Sequence, residues 1–320
     1  MSSPPVVTVV VPGRDVAPYA SEALDSLRAQ TLERWTAVLV DDGSTDATSA
    51  LFAQATADPR FRLVRHETPR GLGAARNAGL DLVTTPFVSF LDADDVLMPR
   101  ALERLIGTLD ASGSDLAVGA YVRLRPDTAG GYTAGTVQPW VAAATDPERR
   151  GVTLAQHPAA SGNVVAWSKA SRIELWRRGG LRFPEGSLYE DQIVAQRMYT
   201  TARAFDVIPD VIVQWRERAD GSSITQRTGS PAVMRDYLAA LTGGLAVLDA
   251  AGHRAAARAR VRLILDMDTP ALVRTARDHP DPGYRRTVGA FVRALWARAE
   301  TESIALDPAS APLLAAARLW

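Results

Sequence analysis

Two adjacent carboxylates, Asp41 and Asp42, follow directly on the apolar run at residues 36–40. A tight turn with a helix cap explains Gly43 and one later polar side chain, but it does not require two neighbouring charges that repel each other. Ligands of open α/β sheets bind at the carboxyl ends of the strands. The pair therefore indicates a binding site at this edge of a sheet, with a purely structural turn as the alternative.

A second acidic group follows the apolar run at residues 87–91, in the order Asp92, Ala93, Asp94, Asp95. Three carboxylates at one strand end repel each other unless a cation neutralises them, and an extended backbone points Asp92 and Asp94 the same way. That arrangement suits a hard divalent ion with open positions for phosphate oxygens. A solvated acidic turn is the alternative, but it accounts for one aspartate rather than three.

Gly71, Gly73 and Arg76 lie between a predicted strand and a predicted helix and nearly match the glycine fingerprint of dinucleotide-binding proteins. Arg76 stands at the third glycine or alanine position, where its bulk prevents the close contact of helix and strand that the fingerprint requires. An NAD-dependent oxidoreductase is therefore disfavoured but stays an alternative. Arg76 can instead reach a phosphate or brace the acidic group; an ordinary surface arginine is the other interpretation.

Glu190 and Asp191 open a predicted helix that runs from about Tyr189 to Thr201. The helix dipole favours carboxylates in a first turn, so capping alone is an adequate alternative. A reaction with a metal-bound diphosphate leaving group needs no general acid. It does need one base to take the proton from an acceptor hydroxyl, and this pair of carboxylates offers it.

Lys169 is the single lysine of the chain, beside 35 arginines, and asparagine occurs only at Asn77 and Asn163. Its retention indicates a place where a compact ammonium fits and a planar guanidinium does not. Chance survival of one lysine is the alternative. We expect Lys169 to belong to the binding site.

The composition excludes several classes of protein. The chain has 320 residues, 47% of them hydrophobic, and a formal net charge of zero, so it can bury a large core and shows no basic surface for nucleic acid. It has no cysteine, which removes disulfides and thiolate metal sites. The four histidines form no HExxH motif and there is no GxSxG, so zinc-protease and α/β-hydrolase interpretations lack support.

Short β-branched runs alternate with helix-length segments from residue 6 to residue 119, which predicts βαβ units, a mainly parallel sheet and an α/β fold. Residues 125–161 lack periodicity and predict an excursion over the sheet. Regular structure is expected to resume at residues 163–167. Two short strands are then expected at 205–208 and 211–216, before a mobile or ligand-binding loop at 217–230.

Beyond Pro231 the pattern is helical, and residues 288, 291, 292, 295 and 296 form an apolar stripe flanked by arginines. We expect this stripe to pack on the catalytic domain or on another subunit; a membrane-surface helix is the alternative. No run approaches about 18 apolar residues, and the start of the chain has no signal-peptide pattern. The expected location is the cytoplasm, including the inner face of the membrane.

The ordered set of motifs resembles family 2 of the glycosyltransferases, which have the GT-A fold, a Rossmann-like domain with a mainly parallel sheet. The resemblance covers about residues 5–226 and rests on VVTVVVP (6–12), LRAQT (27–31), VDDGSTD (40–46), GLGAARNAG (71–79), FLDADD (90–95) and YEDQ (189–192). The segments SGNVVAWSKASR, LRFPEG and YEDQ are similar to members that decorate cell-surface polymers, including polyol-phosphate wall polymers. Those members have a lysine where Lys169 stands.

The resemblance implies a donor site. The backbone at Pro12 and Gly13 and the carboxylate of Asp42 would hold the nucleotide base, usually uracil, with Asp41 beside it. Arg76 would support the diphosphate or the acidic group. The chain departs from the family's common pattern in having Gly13, Arg14 and Asp15 after Pro12, and Pro69 before Arg70 and Gly71, so base and sugar stay open.

The resemblance also implies the reacting groups. Asp92, with Ala93 beside it, would contact the ribose or the donor sugar, and Asp94 with Asp92 would bind Mn²⁺ or Mg²⁺. Asp191 would be the catalytic base, with Glu190 positioning the substrate. The expected activity is inverting transfer of a hexosyl or N-acetylhexosaminyl group.

From these motifs we expect a catalytic domain at residues 1–228 and an α-helical C-terminal region at 229–320 that contacts acceptor, membrane surface or a second copy of the chain. The expected partners are a nucleotide-sugar donor, most simply a UDP-sugar, and an acceptor hydroxyl on a glycan, a polyol-phosphate polymer, a peptide or a small molecule. No nucleic-acid partner and at most peripheral membrane contact are expected. A non-catalytic nucleotide-sugar-binding module is the second alternative.

Overall fold

The computed structural model describes residues 3–223, 227 and 229–320. Part of the loop expected at 217–230 therefore lies outside the described residues. The strands are β1 Val7–Gly13, β2 Trp35–Asp41, β3 Phe61–Arg65, β4 Phe87–Phe90, β5 Val96–Leu97, β6 Leu116–Pro126, β7 Tyr132–Ala134, β8 Arg149–Val152, β9 Lys169–Arg172 and β10 Phe205–Arg216.

The helices are interspersed with these strands up to β10, and from α8 onward the described residues form helices without strands between them. They are α1 Ala17–Arg28, α2 Thr48–Ala55, α3 Leu72–Leu80, α4 Ala101–Ser112, α5 Pro139–Thr145, α6 Ile173–Gly179, α7 Asp191–Thr201, α8 Pro231–Ala250, α9 Arg254–Leu263, α10 Thr269–Asp278, α11 Pro282–Thr301 and α12 Ala311–Ala317. A 3-10 helix covers Pro158–Gly162, and a π-helix covers Ile264–Asp268 between α9 and α10.

The sheet confirms the α/β class and its mainly parallel character. Its order is β3-β2-β1-β4-β9-β6-β10-β5 within the described residues, with β7 on β6 and β8 on β10. The strands β3, β2, β1 and β4 are mutually parallel, as are β6 and β10, while β9 lies antiparallel between β4 and β6. Every residue of β1 is buried, because helices cover both faces of the sheet at this position.

Two expectations from the sequence were wrong in detail. Regular structure resumes at β9 and not, as expected, at residues 163–167. The strands expected at 205–208 and 211–216 are one strand, β10, whose register against β6 shifts after Ile208. Pro209 follows at that point, and since proline has no N–H to give to the ladder, it is tolerated where the pairing is irregular.

The excursion at 125–161 is also more ordered than its composition indicates. It contains β7, α5 and β8, and β8 pairs with β10 at the side of the sheet. The apolar side of α5 is buried through Val141 and Ala144. Short elements like these carry little periodicity, so the sequence alone did not predict them.

The C-terminal helices enclose a second cluster of buried apolar side chains, separate from the core around the sheet. In the expected stripe of α11, Val288, Val292 and Leu295 are buried in this cluster, and Phe291 and Trp296 pack against it. The stripe therefore packs within the C-terminal region and not on the expected catalytic domain, while contact of this region with a second copy or a membrane surface stays a prediction. Over the described residues, every helix is too short or too polar to cross a bilayer.

Candidate active site

A cleft of about 970 Å³ opens at the carboxyl ends of β1, β2 and β4. Predicted site residues that line it are Pro12, Gly13, Asp42, Arg76, Asp92, Asp94, Glu190 and Asp191. They reach it from the strand ends, from α3 and from the start of α7, which confirms that the strand ends form a single pocket. Three predicted residues, Asp41, Ala93 and Lys169, lie buried behind the wall.

Asp42 is held in place by the chain that passes over it. Its Oδ1 accepts hydrogen bonds from the backbone N–H of Arg70, at 2.9 Å, and lies 2.7 Å from Nδ1 of His66. Its Oδ2 accepts from the backbone N–H of Gly71, at 2.8 Å. The carboxylate is therefore fixed before any ligand arrives. Sequence reasoning missed His66, which carries no motif of its own.

Asp41 organises the turn after β2 rather than facing the cleft. It is fully buried, and its carboxylate accepts hydrogen bonds from the backbone of Ser44, at 3.0 Å, and from the hydroxyl of Ser49, with Arg65 at 3.3 Å. Burial alone would raise the pKa of Asp41, but the hydrogen bonds from Ser44 and Ser49 outweigh it and lower the pKa. The acidic pair thus divides into one wall residue and one structural residue.

Arg76 joins the two acidic segments of the cleft. Its side chain is 1% exposed and forms ion pairs with Asp92, at 2.6 Å, and with Glu190. Burial alone would lower the pKa of Arg76, but Asp92 and Glu190 outweigh it and raise the pKa, so the guanidinium keeps its charge. Gly73 makes this junction sterically feasible, because a Cβ there would lie 2.0 Å from the carbonyl oxygen of Pro184, just ahead of Glu190.

Glu190 and Asp191 have different surroundings although they are neighbours. Glu190 is 3% exposed, and burial raises its pKa to about 7 although Arg76 opposes the shift. Asp191 is half-buried on the cleft wall and is in no ion pair within the described part of the chain. Burial also raises the pKa of Asp191, against the opposing charge of Arg76. Of these two neighbours, Asp191 is the one that lines the cleft with a carboxylate outside the Arg76 ion pair.

Asp94 and Asp95 also differ. The carboxylate of Asp94 lines the cleft and accepts a hydrogen bond at 2.8 Å from Nε of Arg218, in the loop after β10. Asp95 points into the protein, where Oδ1 accepts from the backbone of Arg216 and Oδ2 has no hydrogen-bond partner within the described residues. The structure thus places Asp92 and Asp94, the two carboxylates expected to point the same way, on the cleft and turns Asp95 away from it.

These two carboxylates fit a divalent ion only together with ligand oxygens. Within the described residues no group of three potential metal ligands gathers anywhere. Mg²⁺ is commonly bound through one or two carboxylates, with substrate phosphates and water filling the other positions. The donor set at Asp92 and Asp94 matches that pattern.

Lys169 lies beneath the floor of the cleft, 1% exposed. Its Nζ donates to Oδ1 of Asn163, at 2.7 Å, and to the carbonyl oxygen of Val165, at 2.5 Å. Burial lowers the pKa of Lys169 to about 7, although the nearby charge of Asp191 opposes the shift. The single lysine thus contacts one of the two asparagines and supports the backbone at residues 163–165, which lines the cleft at Val164 and Val165.

The wall of the cleft that lies opposite the strand ends was not predicted. The rings of Tyr121 and Trp167 lie 4.8 Å apart and continue to Trp215, at 6.1 Å from Trp167. Helix α8 and the π-helix add Tyr237 and Asp268. No signal in the sequence marked these residues, since each is a single side chain within an apolar or helical segment.

The family model described as "Glycosyl transferase family 2" matches residues 8–184 of this chain. The chain belongs to glycosyl transferase family 2. The match contains β1 from its second residue onward, the two acidic segments and Arg76, and it ends shortly before Glu190 and Asp191.

Two proteins of similar sequence are named for glycosyl transfer or polysaccharide synthesis. Succinoglycan biosynthesis protein ExoO of Rhizobium meliloti (strain 1021) is 42% identical over 36% of this chain and 32% of its own length. The putative glycosyltransferase EpsH of Bacillus subtilis (strain 168) is 28% identical over 70% of this chain and 63% of its own length. The matched part of this family 2 chain thus spans less than two thirds of either relative.

Solved structures of low sequence identity share the fold. TarS 1-349 of S. aureus, solved in complex with UDP, has a TM-score of 0.73 and 21% identity, covering 98% of this chain and 87% of that chain. The mannosyltransferase PcManGT from Pyrobaculum calidifontis, solved with GDP-Man and Mn²⁺, has a TM-score of 0.52 and 22% identity, covering 93% and 87%. The likeness to TarS extends over the C-terminal helices as well as the sheet of this family 2 chain.

Proposed function

We propose that the protein is a metal-dependent inverting glycosyltransferase that moves a hexosyl or N-acetylhexosaminyl group from a nucleotide-diphosphate donor, most simply a UDP-sugar, to an acceptor hydroxyl. The observation that carries the proposal is the position of Asp191. It is a half-buried carboxylate, outside any ion pair within the described residues, in the same cleft as Asp42, Asp92 and Asp94.

In the proposed step, Asp191 takes the proton of the acceptor hydroxyl as the oxygen attacks the anomeric carbon. The bond from that carbon to the diphosphate oxygen breaks, and its electron pair leaves with the diphosphate. Attack from the side opposite the leaving group inverts the configuration. A raised pKa makes Asp191 a better proton acceptor than an exposed aspartate.

The other residues bind and orient. Asp42, fixed by the N–H groups of Arg70 and Gly71, would meet the base at the end of β2. Asp94, with Asp92, would hold Mn²⁺ or Mg²⁺, which supplies positive charge to the departing diphosphate when bound. Arg76 pairs with Glu190 and Asp92, whereas Asp191 lies outside this pairing and offers its carboxylate to the acceptor.

The donor class rests on two kinds of support. TarS has been solved with UDP and with UDP-GlcNAc, and PcManGT with GDP-Man and Mn²⁺. The geometry disfavours the oxidoreductase alternative, because Arg76 is buried in ion pairs where a dinucleotide fingerprint needs a small residue. The domain limits at 228 and 229, a homo-oligomer through the C-terminal helices and a location at the inner face of the membrane stay predictions.

The decisive experiment compares Asp191→Asn with the parent protein. UDP-GlcNAc, UDP-Glc and GDP-Man are incubated with Mn²⁺ or Mg²⁺, and released nucleotide and transferred sugar are measured by mass spectrometry. Loss of the base should lower transfer by about 10²–10⁴-fold while nucleotide binding persists. The matched control is Asp278→Asn, at an exposed position outside the cleft.

Two results would contradict the proposal. Full transfer by Asp191→Asn would remove the assigned base, and full transfer after exhaustive chelation would remove the metal from Asp94. Nucleotide-sugar binding with no turnover of any donor would favour the non-catalytic binding module.

A further inference from the structure

The C-terminal helical region completes the wall of the cleft that faces Asp191. Tyr237 of α8 and Asp268 of the π-helix line this wall, with Met267 and Leu272 beside them. The rings of Tyr189 and Tyr237 lie 4.4 Å apart at 41°. Tyr189 has φ 59°, a left-handed backbone that a bulky residue adopts only where its surroundings hold it. The wall is therefore a fixed surface to which two regions of the chain contribute side chains.

Asp268 is the polar centre of this wall. Its side chain is 8% exposed, and Oδ1 accepts a hydrogen bond from the hydroxyl of Tyr237, at 2.8 Å. Its Oδ2 lies 3.3 Å from Nη2 of Arg260 but makes no hydrogen bond to any described residue. A buried carboxylate oxygen with unused acceptor capacity is uncommon. Single-turn π-helices such as the one that carries Asp268 are frequent at functional sites.

The charge of the cleft limits what can bind opposite the donor. Eight carboxylates and five arginines of the described residues line it. Three of these arginines already pair with carboxylates: Arg76 with Asp92 and Glu190, Arg123 with Glu217, and Arg218 with Asp94. Even with the charges of Asp92 and Asp94 offset by the proposed cation, Asp191 stays outside any ion pair within the described residues. A polyanionic acceptor would therefore meet like charge beside Asp191, which is costly in a partly buried cleft.

The rest of the cleft wall near Asp191 is aromatic. Tyr121, Trp167 and Trp215 form a continuous row of rings, and Tyr189 with Tyr237 form a second group. Tyrosine and tryptophan present an apolar body together with a polar tip, which suits the apolar faces and hydroxyl edges of a sugar ring. A carboxylate such as Asp268 accepts hydrogen bonds from hydroxyl groups and has no donor to offer a phosphate.

We infer that Tyr189, Tyr237 and Asp268 form an acceptor subsite that selects an uncharged saccharide over an anionic polymer. The inference rests on the proposed function and names the acceptor class for the same site. Asp268 Oδ2 and the hydroxyl oxygen of Tyr237, whose proton is given to Asp268 Oδ1, accept hydrogen bonds from the acceptor's hydroxyls and set the position of the one that faces Asp191. They are specificity residues of the C-terminal region, and Asp191 remains the base.

The first test measures acceptor choice of the full chain with its best nucleotide-sugar donor. The neutral probes are the p-nitrophenyl glycosides of glucose, galactose, mannose and N-acetylglucosamine. The anionic probes are p-nitrophenyl glucuronide and an oligomer of glycerol phosphate. We expect kcat/KM for the best neutral probe to exceed that for either anionic probe by about 10-fold or more. A preference for the glucuronide or the oligomer, or donor turnover with no neutral probe accepted, overturns the inference.

The second test separates acceptor from donor binding in variants. Asp268→Asn and Tyr237→Phe keep the shape of the wall, and each should raise the acceptor KM by about 10-fold while the donor KM moves far less. The matched control is Asp266→Asn, on the same π-helix, whose carboxylate accepts hydrogen bonds from Asp307 and Ser310 outside the cleft. An unchanged acceptor KM in both variants overturns the inference alone. Absence of any donor turnover in the parent protein overturns the proposed function and the inference with it.

Discussion

The two walls of the cleft are built in different ways. The wall formed by residues 12–94 carries its polar groups at strand ends, where backbone N–H groups fix Asp42 and Arg76 braces Asp92. The facing wall collects single side chains from the loop before α7, from α8 and from the π-helix, which are far apart in the chain. The first wall is thus specified locally, whereas the second exists only when the C-terminal helices dock. Variants that weaken one wall at a time can measure this difference.

The largest effect is expected at Arg76, the brace of the first wall. Arg76→Met leaves Glu190 and Asp92 without their buried counter-charge, and removing one partner of a buried ion pair costs about 3–5 kcal/mol. Chemical denaturation should show this loss in the free energy of unfolding. The control Arg182→Met removes an exposed ion pair with Asp81 and should change stability by less than about 1 kcal/mol. Equal losses in both variants would contradict a special role for Arg76.

A smaller effect is expected at Arg260, which ties the second wall to α7, the helix that begins with the proposed base Asp191. Its Nη2 donates to Oε1 of Gln192, at 3.0 Å, next to Asp191, and lies 3.3 Å from Asp268. Arg260→Met should cost about 2 kcal/mol, since a hydrogen bond from a buried charged group is lost. It should also lower kcat more than it raises the donor KM, because α7 loses a contact beside the base.

The matched control for Arg260 lies on the same helix. Arg262→Met removes an exposed cation that is 3.4 Å from Asp266, so unfolding and turnover should both stay close to the parent values. If Arg260→Met lowered stability but left kcat intact, the second wall would be shown to dock without positioning α7.

A pH-dependent effect is expected at Lys169, below the floor between the walls. Burial lowers its pKa to about 7, so above that pH the folded protein has released a proton that the unfolded chain still binds. Lys169 therefore makes the free energy of unfolding rise with pH, from about pH 7 towards the usual lysine pKa, by about 1 kcal/mol per unit. Lys169→Met should remove this slope, measured as the difference from the parent protein in denaturation at pH 7, 8 and 9.

Lys169→Arg serves as the companion variant. A guanidinium cannot release its proton, so the slope should vanish here too, and the larger planar group should disturb the contacts with Asn163 and Val165 and impair transfer. A slope that persists in both variants would assign it to another group. Unchanged transfer by Lys169→Arg would leave the retention of this lysine to chance.

The sequence allowed much of the first wall to be predicted because its chemistry is local. Asp42, Asp92 and Asp94 follow directly on buried strands, and parallel strands bring their carboxyl ends to one edge whatever the rest of the chain does. The same reasoning could not separate Asp41 from Asp42, whereas the alternation of an extended backbone grouped Asp94 with Asp92 and left Asp95 aside. Which of two adjacent carboxylates faces the cleft depends on backbone turns and on partners such as Ser44 and Arg216, which are distant or unremarkable in sequence.

The second wall and the antiparallel part of the sheet around β9 could not be predicted from the sequence, for a related reason. Helical periodicity shows that α8 and α11 bury one face, but not which other element covers it. Tyr237 and Asp268 therefore looked like ordinary residues of helical segments. In the same way, the antiparallel insertion of β9 depends on long-range pairing with β4 and β6, for which a four-residue strand carries no local signal.

The smallest effect, at Asp281, tests whether the two regions unfold together. Its side chain caps α11 by accepting a hydrogen bond from the backbone of Gly283, at 2.7 Å, and Asp281→Ala should cost about 1 kcal/mol. The apolar cluster that α11 supports is separate from the core around the sheet, although Leu248, Ala256 and Ala257 of α8 and α9 belong to that core. Because α8 and α9 cross between the clusters, we expect one shifted unfolding transition, seen equally by circular dichroism and by tryptophan fluorescence. Two transitions, with only the first moved by Asp281→Ala, would mean that the second wall can come apart while the first stays folded.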